Sequence, residues 1–204
     1  MAPPRPRHAA QTAILTCGLL AALLLPTAPA PAHVNPSLVL MTDRDAMSAA
    51  LPGAVRFEDR RIKLTSGQKE ALQTQWRFKA DEGNYRVYEG RDGGAQVVGS
   101  VVFLIQATIH SPVRVAVGVG NDGRVVGAAV VELSQESYPW VKPLLEQRLF
   151  KRYVGLNARG DFKPPEDTPG GTQGAMQAFY AKVITRMVQW GAAFCETAGL
   201  TGGR

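Results

Sequence analysis

The residues able to do chemistry are few, and they cluster. Beyond residue 32 the chain has two histidines, His33 and His110, and one cysteine, Cys195. A single thiol forms neither an internal disulfide nor, alone, a metal cage. No Gly-x-Ser-x-Gly elbow, P-loop or His-Glu-x-x-His motif is present, so hydrolase, nucleotide-triphosphatase and zincin readings lack their carriers. Gly118-Val119-Gly120 superficially matches part of a dinucleotide fingerprint, but it leads into a hairpin rather than a helix. A lone histidine behind an apolar strand, as at His110, is ordinarily a turn or edge residue. What remains is the loop Glu166-Asp167-Thr168-Pro169-Gly170-Gly171-Thr172-Gln173-Gly174 ahead of a long apolar-striped segment. Glycines let backbone N–H groups approach a ligand, and a helix start offers free donors and a positive dipole end, so a phosphate can dock there. The plain alternative is a Gly-rich capping loop.

Composition bounds the rest. The 204 residues, 45% of them apolar, suffice for one packed domain and exclude a disordered or disulfide-stapled chain. Residues 1–32 read as a secretory signal: Arg5, Arg7 and His8 precede the apolar run Ala13–Leu25, Pro26 breaks it, and Ala30-Pro31-Ala32 offers a cleavage site. The run is shorter than the roughly 20 residues that cross a bilayer, which makes a retained membrane anchor the lesser alternative. Thr16 and the short apolar stretch before it also argue against lipidation at Cys17. Removing the first 32 of 204 residues leaves 172 and lowers the net charge from +6 to +4. The expected location is periplasmic or otherwise extracytoplasmic. Arg60-Arg61 and Lys151-Arg152 are the only dense basic spots and lie away from stacking aromatics, so nucleic acid is not an expected partner.

The elements that must position these residues follow from periodicity. The expectation is an α+β single domain, with a mostly antiparallel sheet and a long C-terminal helix packed on it. Residues 33–44 read as linker, 45–198 as the domain and 199–204 as a flexible tail. Thr42 or Asp43 caps a helix through Met47 to Leu51, and Thr65-Ser66 caps another over Gln68–Trp76. Strands are expected at Ala54–Leu64, Tyr85–Glu89, Gln96–Thr108, Val113–Val119 and Arg124–Leu133. The Val-rich run within Gln96–Thr108 reads as the centre of the sheet. Asp122-Gly123 predicts a type I′ hairpin turn. Tyr138–Arg152 is helical with interruptions at Pro139 and Pro143, and Gly155–Gly171 is loop. The last helix runs from Gly174 to about Glu196, with Met176, Phe179, Tyr180, Val183, Ile184, Met187, Trp190 and Phe194 at helical spacing.

At the glycine loop the sequence resembles a family. Ala50-Leu51-Pro52-Gly53-Ala54-Val55-Arg56-Phe57 and Leu64-Thr65-Ser66-Gly67-Gln68-Lys69 match its opening. His110-Ser111-Pro112-Val113, Ala116-Val117-Gly118-Val119, Asp122-Gly123-Arg124-Val125-Val126-Gly127 and Glu132-Leu133-Ser134-Gln135-Glu136-Ser137-Tyr138 match its core, and Arg152-Tyr153-Val154-Gly155-Leu156 echoes it weakly. The chain from Asp45 to Glu196 thus resembles the FMN-binding domain of the flavin-carrying subunits of sodium-pumping NADH:quinone reductase and the Rnf complex, most closely its small secreted versions. The resemblance implies FMN as cofactor and redox proteins of the cell envelope, such as a membrane electron-transport complex, as partners. It places Asp167, Gly170, Gly171, Thr172 and Gln173 at the phosphate, and His110, Glu136, Ser137 and Tyr138 beside the ring system. No catalytic acid or base is implied.

Two departures stand at chemically important positions. The family presents a threonine to which FMN is esterified; here Gln173 holds that place and has no hydroxyl, while Thr172 lies one residue early. The family's Gly-Gly after the tyrosine is Pro139-Trp140. The implied function is a periplasmic, noncovalent FMN-binding electron carrier. The alternative is a flavin-free member that serves as a binding or assembly partner of an envelope redox or transport complex.

Overall fold

The computed structural model describes residues 35–166 and 170–202. The expected signal peptide, His33 and Asp167 lie outside the described residues. The domain is α+β, as expected. One antiparallel six-stranded sheet has the order β1-β6-β5-β4-β3-β2, from β1 (Ser37–Val39), β2 (Arg56–Ile62), β3 (Tyr85–Arg91), β4 (Val97–Gln106), β5 (Val113–Gly120) and β6 (Val125–Ser134). Four helices accompany it: α1 (Asp43–Ala50), α2 (Ser66–Trp76), α3 (Tyr138–Glu146) and the 27-residue α4 (Gly171–Thr197).

Local chemistry sets the helix starts. The Thr42 hydroxyl accepts from the Asp45 N–H at α1, and Thr65 with Gln68 forms a reciprocal capping box at α2. Both faces of the sheet are covered. On one, α4 buries Tyr180, Ile184, Met187 and Phe194 against Val87, Leu104, Val115 and Val117. On the other, Ala46, Ala50 and Leu51 meet Val101, Ala116 and Val131. Strands β4 and β5 are central, so their Val-rich runs are apolar on both sides.

Three expectations change. The stretch 33–44, read as linker, supplies an edge strand, Ser37–Val39, paired with Glu132–Ser134, and the start of α1. Three residues flanked by Pro36 carry no readable alternation. The β5–β6 connection is not type I′. Gly120 N–H donates to Arg124 O at 2.8 Å, Gly123 N–H donates to Gly120 O at 2.9 Å, and only Gly123 has positive φ, 77°. This is the three-residue hairpin with glycine in the left-handed position, held by Asp122 Oδ1 accepting from Arg124 N–H. Finally, the expected tail 199–202 is bonded: Gly202 N–H donates to Asn121 O at 2.6 Å and Leu200 N–H to Cys195 O.

The helices approach the sheet at backbone distance. A Cβ built on Gly118 would lie 2.1 Å from Ala50 O, and one on Gly191 2.6 Å from Val117 Cβ. Gly118→Ala is therefore expected to cost about 3 kcal/mol or more in denaturant unfolding, because backbone must move. Gly67→Ala, with open space around it in the first turn of α2, is expected to gain up to about 1 kcal/mol.

The start of α1 is also tethered by charge. Arg114 Nη1 and Nη2 donate to the two Asp43 oxygens at 2.6 and 2.8 Å. The hydrogen bond to Arg114 holds the Asp43 carboxyl below its ordinary value, against a smaller opposing effect of burial. A depressed folded value means the stabilisation is complete above the ordinary carboxylate range and is lost as pH falls through the folded one. Wild type is thus expected to exceed Asp43→Asn in melting temperature at neutral pH, with the gap closing as pH falls below the carboxylate range.

Candidate functional site

The site residues are carried by four pieces of backbone: the segment before β1, the β4–β5 loop, the junction of β6 with α3, and the N-terminal half of α4. The β4–β5 loop is shaped by Thr108, whose hydroxyl donates to Ser111 O at 2.6 Å and accepts from the His110 and Ser111 N–H groups. This turn presents the His110 ring toward β6. His110 Nδ1 lies 3.0 Å from Glu136 Oε1. Asn35 Nδ2 donates to both Glu136 Oε2 and His110 O, each at 2.7 Å. Asn35 sits in the expected linker, and nothing in its sequence surroundings signals contacts 75 and 101 residues away.

Behind this pair runs a chain of hydroxyls. Ser134 Oγ and Ser137 Oγ are 2.7 Å apart, Ser137 Oγ and Tyr180 Oη 2.6 Å, and Tyr180 Oη and Thr108 Oγ1 3.3 Å. Thr108 commits its one hydrogen to Ser111 O, so Tyr180 donates to Thr108, Ser137 to Tyr180 and Ser134 to Ser137. Ser134, Ser137 and Tyr180 are buried, and every hydroxyl has a partner. Three separate elements are thereby locked to α4.

Aromatic rings complete the cluster. Trp140 lies nearly parallel to Tyr180, with centroids 5.9 Å apart and planes 14° apart, and its other neighbour is the His110 ring at 4.9 Å. Tyr138, like Trp140, packs at the margin of the main core that contains Tyr180.

The glycine loop meets α4 three residues earlier than periodicity suggested. Gly170 is the N-cap and offers no side-chain cap, and Gly171 has φ 78°, a left-handed conformation that favours glycine. Gly170, Gly171, Thr172 and Gln173 are exposed, and nothing lies within 4 Å of a Cβ built on either glycine. The first-turn N–H groups have no intrahelical acceptors. Gln173 and Tyr180 are seven residues apart, hence on one face of α4 and roughly 10 Å apart along its axis. Gln177, between them, is buried. Gln173, at the start of α4, and Tyr180, which Ser137 bonds two turns further on, therefore share one helix face.

Elsewhere, Cys195 is buried, and burial pushes its thiol up to about 12, so it is no nucleophile at neutral pH. Among the described residues no group of three His, Cys, Asp or Glu is placed to hold a metal ion, and no helix is long and apolar enough to cross a membrane. Arg60 is paired with Glu89. No protein-family model matches the chain, and no curated protein sequence matches it significantly.

Removing the central hydroxyl tests the chain of donors. Tyr180→Phe leaves buried Ser137 without its acceptor, and is expected to cost about 1–3 kcal/mol in denaturant unfolding.

Proposed function

We propose that this protein is an extracytoplasmic domain that binds FMN without a covalent bond and passes electrons between redox proteins of the cell envelope. One observation carries the reading: at the exposed, glycine-rich start of α4, Gln173 lies on the same helix face as Tyr180 of the His110–Trp140–Tyr180 stack, two turns away. That is a phosphate end and a ring end on one rigid rod.

A bound FMN would meet the chain in two halves. The phosphate half fits. Backbone N–H groups of Gly171, Thr172 and Gln173 have no intrahelical acceptor and none among the described residues, the helix dipole favours an anion, and the bare glycines leave it room. Gln173 adds an amide donor but no hydroxyl for esterification. Thr172 is exposed, and its neighbour Gln173 holds the attachment register. The ring half fits only on the outside of the stack. Inserting a ring between two others takes about 7 Å, two contact layers of about 3.5 Å, and Trp140 and Tyr180 are 5.9 Å apart. The available surface is thus the outer side of His110 and Trp140.

Bound FMN supplies the redox chemistry. The chain's own residues bind and orient. The hydroxyl series from Ser134 to Thr108 fixes Tyr180, Tyr180 fixes Trp140, and Asn35 with Glu136 fixes His110. None of these groups is required to move a proton.

The closed Trp140–Tyr180 contact and the absent hydroxyl at 173 favour a second reading, a flavin-free domain that acts as a binding or assembly partner in an envelope complex. Titration separates the two. The first reading expects FMN fluorescence to be quenched saturably on adding protein, with riboflavin binding at least about tenfold more weakly for want of the phosphate, since one charge-assisted contact set is worth 1.5–3 kcal/mol. Acid precipitation should release all flavin, and Gly171→Val should weaken FMN binding. A protein with no affinity for FMN leaves the flavin-free reading.

A further inference from the structure

Strands β3 and β4 fork. They pair from Arg91↔Val97 to Val87↔Val102 and no further. β3 continues to Tyr85 against β2, and β4 continues to Gln106 against β5. Phe103–Gln106 therefore present one strand edge that no strand among the described residues covers. An uncovered edge is a template for an added strand.

A cavity of about 710 Å³ opens at this fork, between Leu104–Gln106 and Tyr85–Arg86. It has an aromatic side, where Phe78 and Trp190 stack at 5.2 Å and Trp190 Nε1 is anchored to Trp76 O at 2.9 Å. A smaller hollow of about 290 Å³ continues from Gln106 and Trp190 along α4, past Lys182 and Arg186. Alternation along β4 puts Leu104 and Gln106 on the α4 face and Phe103 and Ile105 on the other. Ile105 is 68% exposed.

The rim is basic. Arg86 is paired with Asp59 and Arg114 with Asp43. Among the described residues Arg77, Lys79, Lys182 and Arg186 have no ion-pair partner, and Asp81 is the one lining acid outside those pairs. Lys182 and Arg186 lie on α4 beside Trp190, and Arg77 and Lys79 flank Phe78 in the chain and line the cavity.

We propose that this fork is a docking groove for an extended acidic segment of a partner protein, which adds a strand to the Phe103–Gln106 edge. Alternating side chains of such a segment face opposite sides: carboxylates toward the cations on the α4 side, apolar groups toward Ile105 and Phe103. Nothing in the groove depends on flavin, so the inference stands apart from the proposed cofactor.

The probe is a fluorescein-labelled octapeptide of alternating Glu and Val, compared by polarisation with its Lys–Val counterpart. The acidic peptide is expected to bind saturably and at least tenfold more tightly, with new protection from hydrogen–deuterium exchange at Phe103–Gln106. Lys79→Glu with Arg186→Glu, both exposed, should weaken it about tenfold without lowering the unfolding temperature. Should that pair destabilise the fold, Lys79→Gln with Arg186→Gln reads the same loss at about threefold. Equal binding of the two peptides, protection elsewhere, unchanged affinity in the variants, or tighter binding of phosphatidylglycerol vesicles or single-stranded DNA at the same residues would overturn the assignment.

Discussion

The whole arrangement depends on how closely two helices approach one strand. Val117 and Gly118 are neighbours on β5, so they face opposite sides of the sheet. Val117 meets the bare backbone of α4 at Gly191; Gly118, with its register partner Gly127, forms the floor beneath the Ala49–Ala50 carbonyls of α1. Side chains cannot be added at these points without driving atoms to within 3 Å. The contact on the α4 side fixes the height of a 27-residue helix over the sheet and its position along it. Tyr180 lies 11 residues before Gly191, about 16 Å along the rod, and the glycine loop lies a further two to three turns on. A shift at Gly191 is thus transmitted along the rigid helix to both halves of the candidate site.

Packing alone would leave α4 free to roll by small angles, and buried hydroxyls remove that freedom. Ser137 is the N-cap of α3, a position where serine normally satisfies the helix's own N–H groups. Here it makes no such bond and donates to Tyr180 instead. A local stabilisation of about 1 kcal/mol is given up, and a cross-link between β6, α3, α4 and the β4–β5 loop is gained. Tyr153 does the same lower on the helix, with its hydroxyl 2.6 Å from Thr185 Oγ1 and its ring stacked on Phe162.

How much of this was legible depended on the range of the signal. The caps at Thr42 and Thr65, the Val-rich central strands and the stripe of α4 are local patterns, read within a turn or two, and all are present. Asp-Gly alone predicts type I′ geometry; Asn121 adds a third loop residue, and the ladder closes through Gly120 and Arg124 instead. Strand β1 went unread because three residues are too few to alternate. Asn35 went unread because its partners are far away in sequence. The fork between β3 and β4 was invisible for another reason: a missing pairing leaves no mark on the residues that lack it. In the candidate site, His110 and Glu136 meet directly, and Ser137 bonds Tyr180, which helical spacing marks only as core and which is the hub.

The glycines separate structural need from access. At Gly118, Gly127 and Gly191 the reason for glycine is the atom that a Cβ would strike. At Gly170 and Gly171 nothing would be struck, so packing gives no reason for either. Gly171 needs its left-handed backbone, and Gly170 forgoes the side-chain cap that serine or aspartate would supply at the head of the longest helix in the domain. Local rules broken without a packing return are expected where a ligand, not the fold, sets the requirement. A helix start whose N-cap supplies no side-chain acceptor presents donors with none among the described residues, and a phosphate can satisfy several of them at once. The proposed flavin reading therefore rests on this helix start, because Trp140 and Tyr180 already stack on each other.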